Sequence, residues 1–286
     1  MSLNSESVIT LSSCLLASIC AIKLSIIVPV HNEYQYTRWC LLSAVNRTSV
    51  PYEIIIVNDH SDKQTTNFLH EFSASYGCHY YETTNRGWHS HTCNTGMRQA
   101  RGEYICVLNS DTILTSGWDA ILIKFLESEY GRNISVVGPS SSYCASHQQL
   151  PQYHSIRYQF KYHEVENIAR DVAFMYAGQH MITRISGFAL FFHKSMLDII
   201  GYLDEANFPS AGNESDWIIR GLLKDLQPCW VKDSYIHHFG EASYIPSIGR
   251  EEKRERWEAA DRKLIKKHGQ HLYDMIQNKY WKHQKP

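Results

Sequence analysis

Three short β-branched runs, each stopped by an acid or an amide, constrain this chain more than any other feature. KLSIIVPV (23–30) gives way to HNE, YEIIIVND (52–59) to HSD, and GEYICVL (102–108) to NSD. Apolar runs of this length between polar stops read as buried strands. TRWCLLSAVN (37–46) and the stretches at about 62–74 and 117–128 have helical spacing, while CHYYET (78–83) and ISVVG read as further strands. Strand and helix patterns that alternate in this way predict an α/β sheet. In an open sheet, ligands bind beyond the carboxyl ends of the strands. Asn32 and Glu33, then Asn58, Asp59 and Asp62, then Asn109 and Asp111 are therefore expected on one rim.

The rest of the chain is less regular. Residues 140–184 are rich in Tyr, His and Gln, contain Pro151 and show no clean period. They predict an irregular or partly helical excursion across the active face. SGFALFFH (186–193) resumes a strand, KSMLDIIGYLDE reads as a helix capped by Gly201, and ESDWIIRGLLKDL (214–226) is an amphipathic helix. A short strand PCWVK and a loop YIHHFGEASYIPSIG follow. The charged tail reads as helical with a break at Gly269, and its DRKLIKKH stretch as a solvated face. The expected organisation is an N-terminal apolar segment (1–22), one α/β unit (23–248, divided at 140) and a C-terminal helical extension (249–286).

Residues 8–22 are apolar over a stretch shorter than the ~20 residues a spanning helix needs, and no Lys or Arg precedes them. They read as a packed element rather than a signal or an anchor, and no integral membrane span is expected. The eight cysteines form no C-x-x-C pair, which predicts reduced, mostly buried thiols in a cytoplasmic protein, free or peripheral to a membrane. With 28 basic and 29 acidic residues, no global basic field argues for non-specific nucleic-acid binding.

The rim carries neither G-x-G-x-x-G nor a Walker phosphate loop. Carboxylates around a diphosphate repel it unless a divalent cation intervenes. Mg²⁺ and Mn²⁺ are bound through one or two carboxylates plus phosphate oxygens.

LSIIVPVHNE, EIIIVNDHSD, NRGWHSHTCNTGMRQARGEYICVLNSDT, SGFALFFHKSMLDIIGYLDE and NESDWIIR together resemble, in order and spacing over residues 23–243, the blocks of family-two glycosyltransferases. The resemblance implies a GT-A fold: a Rossmann-like mixed sheet flanked by helices, with the C-terminal helices appended. It implies inverting transfer of a sugar from a UDP- or dTDP-linked donor, with Mn²⁺ or Mg²⁺ as cofactor. The acceptor is left open among a glycan, a lipid-linked glycan, a protein and a modified nucleic-acid base.

Residue by residue, the resemblance puts Pro29, His31 and Glu33 at the nucleoside, where Glu33 could equally cap the next helix. Asp59 is placed on a pyrimidine N–H, against plain turn chemistry for Asp59 and Asp62. Asn85, Gly87, Asn94 and Gly96 match the family's N-x-G repeats. Gly87 would let backbone approach the nucleotide, Arg86 would reach a phosphate, and Trp88 would cover the donor. In NSDT the resemblance implies Asn109 and Ser110 on the sugar nucleotide and Asp111 on the metal. His238 or His237 would complete the metal sphere. Glu214 falls at the catalytic-base position with Asp216 two residues on, although Asp216 could instead pair with Arg220 at i,i+4. Gly187, Phe188 and Trp217 fall on the acceptor side. The departures are Asn109 for the usual acid and Glu214 for the usual Asp. The rival readings are a nucleotidyltransferase making sugar nucleotides and a non-catalytic carbohydrate-binding relative.

Overall fold

The computed structural model describes residues 21–158, 161–240 and 249–277. The N-terminal segment, save its last two residues, lies outside them, as does the end of the YIHHFGEASYIPSIG stretch. Nine strands, β1 (Leu24–Val30), β2 (Tyr52–Asn58), β3 (His79–Glu82), β4 (Tyr104–Leu108), β5 (Thr112–Leu114), β6 (Ile134–Ser140), β7 (His180–Ile182), β8 (Ala189–His193) and β9 (Gln227–His238), form one mixed sheet. Its order is β3-β2-β1-β4-β8-β6-β9-β5, with β7 also on β9. β1 runs parallel to both β2 and β4. All three are buried along nearly their whole length, which is why they read as unbroken apolar runs instead of alternating ones. Val30 pairs with Asn58, so the polar stops after β1 and β2 emerge side by side.

Helices α1 (Tyr34–Arg47), α2 (Lys63–Tyr76), α3 (Trp88–Gln99), α4 (Trp118–Glu127), α5 (Tyr162–Met175), α6 (Met196–Ile199) and α7 (Asn213–Leu222) flank the sheet, and α8 (Arg250–His268) and α9 (Gln270–Ile276) follow it. Asp62 caps α2 by accepting from the Thr65 amide at 2.8 Å, and Gly77 ends it at φ 65°. Among these, α3 was not legible in the sequence. Its buried face is mostly polar and small (Ser90, Thr92, Asn94, Gly96), with only Cys93 and Met97 to mark an apolar stripe. It reaches the core by proximity: a Cβ at Gly96 would lie 2.4 Å from Ile27 Cγ2.

The excursion expected to be irregular or partly helical contains the helix α5, and in addition the short strand β7. Two expectations are corrected. The helix expected over KSMLDIIGYLDE shortens to the single turn of α6, and Gly201, expected to cap it, stands just past its end at φ 87°. The HH of the expected loop belongs to β9, because β5 pairs antiparallel with it and sets Thr112 opposite His238.

The tail is also more than a solvated face. Ala260 and Leu264 of α8 and Ile276 of α9 are buried in the main core. The break falls at Gly269, φ 86°, as the sequence predicts. No helix among the described residues is long and apolar enough to cross a membrane.

Candidate active site

The polar ends of β1, β2 and β4 open into a cavity of about 280 Å³. Pro29, His31, Asp59, Asn109, Ser110 and Asp111 line it from the sheet; Arg86 and Trp88 line it from the segment that enters α3. Gly187, Phe188 and Glu214 line it from the far half, and His238 from the end of β9. These sequence-predicted residues, from seven stretches of the chain, therefore meet in one place.

Asp59 is buried at 4% exposure. Its carboxylate accepts from Thr83 Oγ1 at 2.9 Å and from the backbone amides of Gly87 at 2.7 Å and Trp88 at 3.1 Å. Its carbonyl takes the His31 Nδ1 proton at 2.7 Å. It thus fastens the 83–88 turn onto the strand end. Glu33 sits at the N-terminus of α1 in a left-handed conformation and makes no side-chain cap bond. Burial, then the charges of Asp111 and Asp62, push its carboxyl above the ordinary range.

His238 is positioned by its ring partners. Nδ1 donates to the Tyr143 carbonyl at 2.7 Å, which leaves Nε2 as a lone pair. Nε2 is buried without a hydrogen-bond partner and lies 3.3 Å from Asp111 Oδ1. In the neutral imidazole, two acceptors therefore face each other. His237, one residue earlier on the strand, points to the opposite face. It meets Ser142 and Tyr235 there, and burial pulls its pKa down to about 3. Of the two histidines, His238 is the one that reaches the cavity. No group of three or more His, Cys, Asp or Glu among the described residues could hold a metal alone.

Glu214 and Asp216, two residues apart at the start of α7, face different ways. Glu214 lines the cavity 3.5 Å from Arg184 Nη2. Asp216 is fully buried outside it: Oδ2 accepts from Arg220 Nε at 2.9 Å, and Oδ1 meets Lys267 Nζ at 2.6 Å and His268 Nε2 at 2.7 Å. The i,i+4 alternative for Asp216 is the arrangement found, and it moors α8 as well. The basic end of DRKLIKKH thus contacts buried acid.

Other expected residues fall elsewhere. Trp217 turns into the core, donating to the Gly201 carbonyl and packing on Phe192. Asn94 clamps Leu203 through both its amide atoms. Asn85 is exposed and does not line the cavity. Gly87 is required by its own helix: a Cβ there would lie 2.2 Å from His91 Cδ2.

Sequence reasoning passed over His89, Arg184, Lys253 and Trp257, all of which line the cavity. Burial lowers the His89 pKa, against the charges of Glu214, Asp111 and Asp59. His89 shares the cavity with all three acids. Arg184 stands in a stretch without periodicity. Lys253 and Trp257 lie on a helix whose high charge hid its inner stripe.

The fold and the rim are those of a GT-A type glycosyltransferase. Residues 25–199 match the profile of glycosyl transferase family 2, and the chain belongs to that family. This sets aside the nucleotidyltransferase reading. The chain is 34% identical over 115 residues to the glycosyltransferase GlyA of Streptococcus pneumoniae, covering 40% of this chain and 16% of that one. It is 25% identical over 182 residues to the poly-beta-1,6-N-acetyl-D-glucosamine synthase of Staphylococcus epidermidis, covering 63% and 42%. The matched stretch is thus less than half of each relative. In structure it is similar to the mannosyltransferase PcManGT of Pyrobaculum calidifontis in complex with GDP-Man and Mn²⁺ (TM-score 0.60, 15% identity, 86% of this chain and 62% of that one). It is also similar to residues 1–349 of S. aureus TarS in complex with UDP-GlcNAc (TM-score 0.57, 15% identity, 92% and 73%).

Proposed function

We propose that this glycosyltransferase moves a sugar from a UDP- or dTDP-linked donor to an acceptor hydroxyl with inversion, using Glu214 as base and a divalent cation held by Asp111 and His238. The observation that carries this reading is the pair of facing acceptors, Asp111 Oδ1 and His238 Nε2, 3.3 Å apart. A buried lone pair beside a carboxylate is costly unless a cation satisfies both. Two protein ligands suit Mn²⁺ or Mg²⁺, which complete their shells with phosphate oxygens and water. When bound, such an ion offsets the charge of the departing diphosphate. The PcManGT complex with Mn²⁺ supports the choice.

The remaining steps belong to this chain's side chains. Glu214 takes the proton of the acceptor hydroxyl as its oxygen attacks C1 of the donor sugar. The bond from C1 to the diphosphate breaks and its electron pair leaves with the nucleotide. Arg184, 3.5 Å away, holds Glu214 in place. A carboxylate offers about four acceptor sites, and three on Asp59 are taken by Thr83, Gly87 and Trp88. The remaining one suits the N–H of uracil or thymine.

The test is nucleotide release from a panel of UDP-, dTDP- and GDP-sugars with and without Mn²⁺. Release confined to a pyrimidine donor, abolished by chelation and by Asp111→Ala, is expected. Release that survives both would remove the cation from the mechanism.

A further inference from the structure

His89 is the second residue of α3 and lines the active-site cavity. Hydrogen bonds made by its two chain neighbours fix where it stands. The Trp88 amide donates to Asp59 Oδ2 at 3.1 Å. Ser90 is tied to the other half of the site: its amide donates to the Pro209 carbonyl at 2.9 Å, and its Oγ accepts from Asn213 Nδ2 at 2.9 Å. Asn213 Oδ1 in turn accepts from the Glu214 amide at 2.7 Å. His89 is thus held between two tethers, one to Asp59 and one to the residue beside Glu214.

Those tethers bracket the transferred sugar. In the reading above, Asp59 faces the nucleoside and Glu214 faces the acceptor hydroxyl. The sugar is bonded to the diphosphate on one side and attacked at C1 from the other, so it occupies the space between the two. The ring of His89 has one contact and one open edge. Nε2 lies 3.4 Å from Cys93 Sγ. Nδ1 has no hydrogen-bond partner among the described residues and is not sealed from solvent. It therefore opens into the cavity that His89 lines.

The chemistry of that edge selects its partner. Burial lowers the pKa of the imidazole, so at neutral pH the ring carries one proton. The Cys93 thiol can donate to Nε2 or accept from it, which makes Nδ1 a donor or an acceptor in turn. A sugar hydroxyl both donates and accepts, so it satisfies Nδ1 in either tautomer, whereas a phosphate oxygen only accepts. His89 does not join Asp111 and His238 as a third cation ligand, because no three His, Cys, Asp or Glu among the described residues cluster closely enough to hold one. Resting on the glycosyltransferase reading above, we propose that His89 Nδ1 hydrogen-bonds a hydroxyl of the donor sugar and so helps to select the sugar that is transferred.

The experiment is calorimetric titration of the full chain, with Mn²⁺ present, using UDP, dTDP and their glucose, galactose and N-acetylglucosamine conjugates. The quantity read is the affinity of each conjugate relative to its bare nucleotide. For at least one sugar, His89→Ala should lower that ratio roughly threefold to tenfold, as one neutral hydrogen bond allows, with the bare nucleotide unchanged. An Asn amide falls where Nδ1 is and a Gln amide where Nε2 is, so His89→Asn should keep the ratio and His89→Gln lose it. An amide takes no proton at neutral pH, so rescue by Asn also separates a hydrogen bond from a second base. Monodeoxy analogues of the affected donor locate the hydroxyl: one should cost the wild type what His89→Ala costs and cost that variant nothing further, a coupling that a merely structural role lacks. Thermal melting shows that each variant is folded. A ratio unchanged in His89→Ala, no difference between the Asn and Gln variants, or deoxy losses that all add to the loss from His89→Ala overturns the contact. UDP and dTDP that both fail to bind the wild-type chain would instead bring down the donor reading, and the contact with it.

Discussion

Asp216 Oδ1 lies 2.7 Å from His268 Nε2, and that contact fastens the helix bearing Glu214 to the C-terminal helices. Lys267 shares the same oxygen at 2.6 Å, while Arg220 holds the other. One buried carboxylate thus joins two elements that both contribute to the cavity: Glu214 on its own helix, Lys253 and Trp257 on α8.

Removing the charge at Asp216 strands the basic groups around it. Breaking a buried ion pair from one side costs about 3–5 kcal/mol, or roughly 6–20 °C in melting temperature for a chain of this size. Asp216→Asn should show that loss in calorimetry. An unchanged melt would sink the clamp reading.

Glu214 sits at the cavity and Asp216 does not, so their substitutions should separate. Glu214→Gln should cut transfer by about 10²–10⁴, the usual contribution of a general base, with little effect on melting or on UDP affinity. Normal turnover in this variant would remove Glu214 as the base.

Asp204 adds a pH dependence to the mooring of the tail. Burial raises its pKa, but hydrogen bonds from Lys267 and Asn207 outweigh this and bring it from 3.8 to about 2. A carboxyl whose pKa is depressed by folding stabilises above its unfolded value and ceases to as pH falls through the folded one. Its contribution should therefore be complete above about pH 4 and disappear by about pH 2. Acid titration followed by tryptophan fluorescence should lose part of that slope in Asp204→Asn. Identical acid profiles would refute the linkage.

Gly87 offers a steric test. An added Cβ meets not only His91 Cδ2 at 2.2 Å but also His91 Cβ at 2.9 Å, so ring rotation cannot clear it. Gly87→Ala should cost about 1–3 kcal/mol, as overpacking does. His91→Ala should recover part of that, a coupling of at least about 0.5 kcal/mol in a double-mutant cycle. Strict additivity would place the cause elsewhere.

The strand ends were legible because β1, β2 and β4 are buried on both faces, and such strands have a plain signature in residue type. The acids that stop them follow from topology alone. The helix α3 was not legible, because its packing face is mostly Ser, Thr, Asn and Gly, with only Cys93 and Met97 as apolar markers, and Gly96 fits by closeness to Ile27. The extension of β9 through His238 was missed for a different reason. It depends on β5, three residues long, and pairing across more than 120 positions leaves no local trace.

The linear order of residues by itself determined an α/β sheet, an acidic rim at its carboxyl edge and the helical tail with its break at Gly269. Period and residue type fix those through local forces. Only the tertiary structure decided that His238, not His237, faces Asp111, that Glu214 reaches the cavity while Asp216 grips the tail, and that α8 brings Lys253 and Trp257 to the rim. Each of those outcomes depends on which face of an element meets a partner far away in the chain. Such a choice is settled by the packing of the whole molecule.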